Sequence, residues 1–394
     1  MESIIRSMNV LIINYKFPPD PGVASFRVAK FAKYLTEFGC NVHVLTRDNG
    51  NDGPHPLMDD IAAVDSIVRT DVMSDKIPLV NTRVTRWIKP MIDNAVRMIE
   101  EHDIDIVLHS APAHFPLVGC MIIKRRTGIP YIVDLRDPLY TGNLDKEPFS
   151  INFYKLALRI LEPKIIQCAS AVVFATETMR DVYIDAYPSH KSKIYCVENG
   201  YDPEDYNDIK QQTVEGFQIV FPGKFRDDMR WFFEPFSKFV NGRSDVKFTH
   251  FGDPNREEAM QVREVVENLD LGDYVSFEGY VTKDKVLSTC MSSNLGLVVS
   301  KPNSSTYAGA KTYDYIGCDI PILGVDDGES AMREILVNFP NAYATERSDS
   351  DAIYETLVST YEKKPPSLGN SEAAEKYTRR NLTQKMYEIL YSKL

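Results

Sequence analysis

Short apolar runs rich in β-branched residues alternate with amphipathic helical patterns along the whole sequence. This alternation predicts strands that are connected through helices, and strands connected in this way lie parallel in a sheet. In the first half, the pattern predicts strands at residues 9–15, 42–46, 105–110, 131–137, 171–176 and 194–197. In the second half, it predicts strands at residues 217–221, 247–251, 275–279, 295–299, 321–325 and 342–345. The predicted fold class is therefore α/β, with doubly wound parallel sheets.

The length of 394 residues is enough for two domains with sizeable cores. The stretch 201–216, YDPEDYNDIKQQTVEG, is polar and poor in aliphatic residues, which makes it the best linker candidate. We expect a first domain at residues 1–200, a second at 217–370, and a helix at 371–394 that packs back on the first. Because open α/β sheets bind ligands at the carboxyl ends of their strands, we expect both sheets to face a common cleft.

Composition and missing motifs exclude several classes of function. The net charge of −11 argues against a general nucleic-acid binder, and no nucleic-acid partner is expected. The six cysteines are far apart, which favours a reducing compartment, and no signal segment is evident, so we expect a cytoplasmic protein. Neither a P-loop nor a G-x-G-x-x-G motif after a strand occurs, which disfavours ATP hydrolysis and dinucleotide chemistry. No cofactor and no metal are expected.

Two loops of the first half carry residues that could bind a ligand. The loop NYKFPPDPGVASF places Gly22 before a helix whose amides could bind an anion, or its glycine and prolines only punctuate a turn. His114 follows the third predicted strand, where an imidazole could bond a hydroxyl group or simply lie at the surface. After the next strand, Arg136 stands between Asp134 and Asp137, which favours a structural ion-pair network over a general base.

The loop PGKFRDDMRWFF of the second half places Lys224 and Arg230 beyond a strand end. Two cations there could clamp a diphosphate, or they could be solvated charges of an exposed loop. Further along, AGAKTYDYIGCDIP puts small residues and a lysine at a helix start directly before an apolar strand.

These motifs, in this order, resemble family 4 glycosyltransferases, which have the GT-B fold of two Rossmann-like domains. The first loop is similar to the family's strand, proline pair, glycine and helical arginine, with Arg27 as the arginine. SAPAH and DLRDP resemble a branch that has S-x-P-P-H-S and D-F-R-D-P-W in these loops, and His114 matches its histidine. The stretch AGAKTYDYI resembles a P-x-K-x-x-E-Y-L pattern, with Asp314 as the acidic residue and Thr306 in place of an earlier glutamate.

The resemblance implies roles for these residues, and it implies no metal. Catalytic roles fall to His114, Lys311 and Arg230. Acceptor-binding roles fall to Arg27, Arg136 and Asp137. Donor-binding roles fall to Gly22, Lys224, Arg230, Tyr280, Val281, Thr306, Gly309, Ala310, Lys311 and Asp314. Within this set, the amides near Gly309 and the Lys311 ammonium would hold the diphosphate, and Asp314 would accept hydrogen bonds from the ribose.

The implied activity is transfer of a sugar from a nucleoside diphosphate sugar, a UDP- or GDP-sugar, to a glycan or lipid-linked acceptor, with retention of configuration. Synthesis of a cell-surface polysaccharide or glycolipid is the expected context. Two alternatives stay open. A GT-B sugar-nucleotide epimerase would use the same cleft, and a non-catalytic nucleotide-sugar-binding protein would keep the fold and lose turnover.

One further segment concerns the membrane. Residues 82–99, TRVTRWIKPMIDNAVRMI, combine Arg83, Arg86, Lys89 and Arg97 with apolar residues. Such a segment could make peripheral contact with an anionic membrane, aided by the cations at 124–126, or it is an ordinary amphipathic helix with a solvated face.

Overall fold

A computed structural model describes residues 7–20, 22–50, 53, 55–74, 82–141, 153–301 and 305–394. The chain divides into two compact units. Unit 1 comprises Met1–Asn199 and Arg379–Leu394, and unit 2 comprises Gly200–Thr378.

Unit 1 contains a parallel sheet and the helices that cover it. Its strands are β1 (Asn9–Asn14), β2 (Asn41–Arg47), β3 (Ser66–Thr70), β4 (Ile106–Ala111), β5 (Tyr131–Leu135), β6 (Ala171–Phe174) and β7 (Ile194–Cys196). Its helices are α1 (Val23–Glu37), α2 (Arg83–Glu101), α3 (Leu117–Thr127), α4 (Phe153–Cys168), α5 (Glu177–Ala186) and, from the end of the chain, α13 (Arg379–Tyr391).

The sheet of unit 1 has the order β3-β2-β1-β4-β5-β6-β7 and is parallel throughout. Both of its faces are buried, as is usual for parallel sheets. On β1, Leu11 and Ile13 enter the core beneath α2 to α5, whereas Val10 and Ile12 enter the core beneath α1 and α13. The alternation follows from the two-residue period of a strand.

Helix α1 shows why the sequence pattern was informative. The spacing of its apolar residues places four of them on one face, and all four are buried where α13 packs on the helix: Val28, Phe31, Ala32 and Leu35. The chain turns after the helix at Gly39, whose φ of 85° is a conformation that glycine adopts without strain.

Unit 2 has the same architecture. Its strands are β8 (Phe217–Pro222), β9 (Val246–Phe251), β10 (Val275–Phe277), β11 (Leu295–Val299), β12 (Ile322–Asp326) and β13 (Ala342–Glu346). Its helices are α6 (Arg230–Val240), α7 (Glu257–Asn268), α8 (Lys283–Met291), α9 (Ala310–Cys318), α10 (Ala331–Leu336), α11 (Ser350–Lys363) and α12 (Ser371–Glu375). The sheet order is β10-β9-β8-β11-β12-β13, and one core lies on each face.

The predicted fold class is thus confirmed, and the predicted strands are present with end shifts of one or two residues. The structure contains one strand, β3, that the sequence pattern did not predict. It lies at the sheet edge, and most of its residues are only half-buried, so its apolar signal is weak.

The segment 201–216, proposed as a linker, is in part packed structure. A short 3-10 helix, Pro203–Tyr206, lies at its start, and Tyr201 and Tyr206 pack against Gly317 of α9. A side chain at position 317 would come within 2.7 Å of both rings, which explains the glycine there. The beginning of this segment therefore belongs to the core of unit 2.

Among the helices that the structure describes, none combines the length and the apolar character needed to cross a bilayer.

Candidate functional site

The strands of each sheet are parallel, so their carboxyl ends lie at one edge, and the loops that follow them are neighbours. In unit 1 this edge carries the loops after β1, β4 and β5. Gly22 caps the amino end of α1 with φ of 111°, and a Cβ there would meet no atom within 4 Å. The glycine is thus required by its backbone conformation, which most side chains adopt only with strain.

Arg27, predicted to contact the acceptor, is completely buried in unit 1. Its guanidinium binds both carboxylate oxygens of Asp134, at 3.0 and 2.7 Å, and donates to the carbonyls of Val197 and Glu198. Because the Arg27 guanidinium has no exposed surface and its N–H groups already bond oxygens of the protein, it fits a structural role within unit 1. Asp134 therefore takes part in a structural ion pair, and the cation that binds it is Arg27.

His114 and Asp137 come together although they follow different strands. Burial lowers the pKa of His114 because the charged ring is disfavoured away from water, and the charge and backbone of Asp137 partly oppose this shift. A lowered pKa keeps the ring neutral near pH 7, so it can donate from one nitrogen and accept at the other. Arg136 lies in the same loop as Asp137 and is half-buried. The other histidine of this region, His109 of β4, is fully buried.

A buried carboxylate that the sequence did not reveal fixes this loop. Glu162 of α4 is 1% exposed and accepts hydrogen bonds from the amides of Tyr140 and Thr141, at 2.6 and 3.0 Å. The hydroxyls of Tyr183 and Tyr187 donate to it at 2.8 and 2.7 Å. Burial and the bond to Glu162 raise the pKa of Tyr187 to about 12, so its hydroxyl stays a donor. A glutamate within the apolar run LRILEPKII was the available signal.

One more cluster in unit 1 has residues of the kind that bind metals. Among the described residues, Glu177, Cys196 and Glu198 lie together at the carboxyl ends of β6 and β7. Arg180 already forms an ion pair with Glu177, and Lys385 pairs with Glu198 at 3.3 Å. The negative charges of Glu177 and Glu198 are therefore balanced by Arg180 and Lys385.

In unit 2, the loop after β8 places Lys224 at the surface. The residue before it, Gly223, has its carbonyl 2.9 Å from His250 Nε2, and a Cβ on Gly252 would come within 2.4 Å of the same oxygen. Burial lowers the pKa of His250 to about 4, so the ring is neutral at pH 7 and donates this bond. The loop is thus held by the hydrogen bond from His250, while the side chain of Lys224 is exposed.

Arg230 is the first residue of α6 and is half-exposed at the same edge. Its guanidinium lies 3.7 Å from carboxylate oxygens of both Asp228 and Glu234. The preceding Met229 has φ of 51°, a left-handed conformation that turns the chain into the helix.

A second arginine, which the sequence analysis did not select, stabilises this turn. Arg347 follows β13 and binds Asp327 and the carbonyl of Ser300, which follow β12 and β11. Its guanidinium also lies over the ring of Trp231 at 5.7 Å, and Trp231 donates to Asp227 at 3.1 Å. Arg347 therefore connects three loops of the candidate site in unit 2.

Tyr280 and Val281, predicted to bind the donor, follow β10. Tyr280 is 79% exposed and Val281 is 36% exposed. The backbone of Gly252 bonds that of Gly279 at 3.0 Å, which attaches this loop to the loop after β9.

Helix α9 begins at Ala310, with Gly309 as its amino-terminal cap. Lys311 lies in its first turn, and its ammonium is 3.1 Å from a carboxylate oxygen of Asp314. The Asp314 carboxylate raises the pKa of Lys311, whereas burial opposes that shift, so the ammonium stays charged. Both side chains are about one-third exposed, while Thr306 in the preceding loop is buried.

Hydrogen bonds of two tyrosine hydroxyls fix the position of α9. The hydroxyl of Tyr315 donates to the carbonyls of Val220 on β8 and Leu297 on β11, at 2.9 and 3.2 Å. Gly296 makes room for this ring, because a Cβ there would come within 2.6 Å of it. The hydroxyl of Tyr206 also donates to the carbonyl of Asp314 at 3.3 Å.

The predicted residues thus form two groups, one in each unit. The carboxyl edge of unit 2 carries Lys224, Arg230, Tyr280, Val281, Thr306, Gly309, Ala310, Lys311 and Asp314. The carboxyl edge of unit 1 carries Gly22, His114, Arg136 and Asp137, with Arg27 buried beneath. Unit 2 therefore offers cations and helix amides, which suit a polyphosphate, and unit 1 offers an imidazole and a carboxylate, which suit hydroxyl groups.

The segment predicted to contact a membrane forms α2. Its apolar side is not at the surface, since Trp87 is fully buried and donates to Thr70 in the core of unit 1. On the exposed side, Lys89 pairs with Asp93 at 2.5 Å, and Arg97 lies 4.0 Å from Glu101. Of the two interpretations, the structure favours the amphipathic helix with a solvated face.

Two Rossmann-like units with parallel sheets define the GT-B class of fold. Residues 24–205 match the model of the family described as Glycosyltransferase Family 4. Among curated protein sequences, none matches this chain significantly.

Solved structures of similar fold cover nearly the whole chain. A glycosyltransferase from Rickettsia africae has 14% sequence identity and a TM-score of 0.70, over 98% of this chain and 99% of that one. HepE from Anabaena, solved with UDP and glucose, has 15% identity and a TM-score of 0.70, over 98% and 100%. Sucrose-phosphate synthase from Thermosynechococcus elongatus has 13% identity and a TM-score of 0.69, over 98% of each chain. These similarities establish the GT-B fold.

Proposed function

We propose that this protein is a retaining glycosyltransferase that moves a sugar from a UDP- or GDP-sugar to a glycan or lipid-linked acceptor. The family match over residues 24–205 and the bound UDP of the Anabaena structure support this proposal. We also propose that the enzyme acts in the cytoplasm, in the synthesis of a cell-surface polysaccharide or glycolipid. Six cysteines without a disulfide support a reducing compartment.

The observation that carries the proposal is the pair of Lys311 and Asp314 in the first turns of α9. A helix amino end and an ammonium both stabilise the negative charge that grows on a departing diphosphate. Lys224 and Arg230 would add positive charge from the loop after β8 and from α6. The carboxylate of Asp314 would accept from the ribose hydroxyls, so the ion pair with Lys311 would exchange for contacts with the donor.

The acceptor side of the reaction is assigned to unit 1. His114 would bond a hydroxyl of the transferred sugar, since its neutral ring can donate and accept. Arg136 and Asp137 would contact the acceptor, and the backbone near Gly22 would contact phosphate or acceptor. Under this proposal Arg27 supports the site from beneath and does not touch a ligand. No resident metal is needed, because the protein's own cations balance the leaving group.

The test is isothermal titration calorimetry with UDP and with GDP. We expect Lys311→Ala to weaken nucleoside diphosphate binding at least tenfold. The matched control is Lys283→Ala, because Lys283 is also 38% exposed and also pairs with an aspartate, Asp205, at 2.6 Å. The control should bind as the unaltered protein does. Equal affinity of the Lys311 variant would refute the assignment of the diphosphate to α9.

A second experiment separates the three functional alternatives. The protein is incubated with UDP-sugars without an acceptor, and the products are identified by NMR. An epimerase converts one sugar nucleotide into another without releasing UDP, and a binding protein leaves it unchanged. We expect slow release of UDP with no new sugar nucleotide, and faster release once a suitable acceptor is added.

A further inference from the structure

The outer sides of α3 and α4 expose large aliphatic side chains. Leu156 and Ile160, one helical turn apart on α4, are 47% and 55% exposed, and Ile122 of α3 is 37% exposed. The two helices are neighbours, since the ammonium of Lys124 on α3 donates to the carbonyl of Cys168 on α4 at 2.8 Å. We call these outer sides, with their charged residues, the α3–α4 face.

The charges of the same two helices are almost all positive. They contain the six cations Lys124, Arg125, Arg126, Lys155, Arg159 and Lys164 and one carboxylate, Glu162. Glu162 is buried and lies among its own hydrogen-bond donors, so the face itself shows only cations. This local excess stands in a chain whose net charge is −11.

Among the residues that the structure describes, few acidic groups oppose these cations. Arg126 lies 3.7 Å from Asp93 of α2. Arg125 and Lys164 form no ion pair within the part of the chain that the structure describes. The neighbouring α2 differs, because its Lys89 and Arg97 have acidic partners one turn away and its apolar side is in the core.

We propose that the α3–α4 face binds the surface of an anionic lipid bilayer. The arginine and lysine side chains would lie among the headgroups, and the aliphatic side chains would enter the boundary of the acyl chains. An RNA would use the cations and leave Leu156 and Ile160 in water. A bilayer uses both, which is why this partner fits the face.

This inference deepens the proposed function, because an enzyme held on a bilayer would meet a lipid-linked acceptor. Only the link to a lipid-linked acceptor rests on the proposed function. Binding to the bilayer would be measured without a substrate, so the two can fail separately.

The test is flotation of this chain with vesicles of phosphatidylcholine, either pure or with about 30% phosphatidylglycerol, which gives the surface a negative charge. We expect the unaltered protein to float with the anionic vesicles and to stay behind with the neutral ones. The variants Leu156→Asn/Ile160→Asn and Arg125→Glu/Lys164→Glu should each reduce the bound fraction at least fivefold. UDP binding and thermal unfolding of both variants should be unchanged, since all four side chains lie at the surface.

The matched control is Lys238→Glu/Lys363→Glu, which changes the net charge equally at two exposed lysines of unit 2. It should float as the unaltered protein does. Equal flotation with neutral vesicles, or full flotation of both α3–α4 variants, would overturn the proposal. Binding of a single-stranded RNA that depends on Arg125 and Lys164, without any flotation, would overturn it as well.

Discussion

The ion pair of Arg27 and Asp134 offers a decisive test of how unit 1 is held together. Both side chains are completely buried, and the carboxylate also accepts from the hydroxyl of Ser110 at 2.7 Å. Removing one partner leaves an uncompensated buried charge, which costs about 3–5 kcal/mol. Replacing both with apolar residues of similar size removes that penalty. We therefore expect Arg27→Met to destabilise unit 1 by about 3–5 kcal/mol, and Arg27→Met/Asp134→Leu to destabilise it much less than the sum of the single changes.

The assay follows from the positions of the two tryptophans. Trp87 lies in the core of unit 1 and Trp231 lies in unit 2, so a Trp231→Phe background leaves fluorescence that reports on unit 1. With a urea dependence of about 2 kcal/mol per M, the Arg27→Met midpoint should fall by roughly 1.5–2.5 M. The control is Arg180→Met, which removes ion pairs with Glu177 and Asp181 at the surface and should cost less than about 1 kcal/mol.

Two results would contradict this reasoning. One is a loss below about 1 kcal/mol for Arg27→Met, which would mean that water or another cation reaches Asp134. The other is additive behaviour of the double variant, which would mean that the two groups do not depend on each other. A stable Arg27→Met variant with weakened acceptor binding would instead support the direct acceptor contact that the family resemblance implies.

Three further predictions concern other buried groups. Glu162→Gln should lower the free energy of unfolding by about 1.5–3 kcal/mol, because hydrogen bonds to a charged carboxylate are replaced, and Tyr187→Phe should cost less; urea unfolding would measure both. His250 has its pKa lowered to about 4, so the unfolded chain binds the proton more tightly and unit 2 should lose stability as the pH falls from about 6.5 to about 4. His250→Gln, which keeps a donor and removes the titration, should flatten that dependence in thermal unfolding between pH 4 and pH 7. Gly296→Ala should lower the midpoint of thermal unfolding, with a cost of about 1–3 kcal/mol, because its Cβ would overlap the ring of Tyr315; an unchanged midpoint would contradict the close approach.

The candidate site could be predicted from the sequence only where a side chain follows a strand directly. His114, Lys224 and Lys311 stand within a few residues of a strand end or a helix start, so a correct strand pattern locates them at the edge of a sheet. Arg347 also follows a strand, β13, so the pattern could have located it at this edge but could not identify its partners, and Glu162, in the middle of α4, could not be found in this way. Their roles depend on tyrosines, carbonyls and carboxylates from distant elements, and local sequence carries no signal for such partners.

The membrane-related signal shows the same limit. Helical periodicity indicated that α2 is amphipathic, but it could not decide whether the apolar side enters a bilayer or the core of the protein. Packing decided this, because Trp87 and its neighbours cover the sheet. The exposed Leu156 and Ile160 stand in a similar helical pattern, and only the fold distinguishes them from core residues.

The sequence by itself determined the order of helices and strands, the α/β class and the two-unit organisation, because these follow from the spacing of apolar residues along the chain. The tertiary structure alone decided which charges pair. Arg27 and Asp134 are 107 positions apart, and parallel strands with helical crossovers bring them into contact. Spacing along the chain fixes which side of an element is apolar, whereas the identity of a partner depends on how distant elements pack.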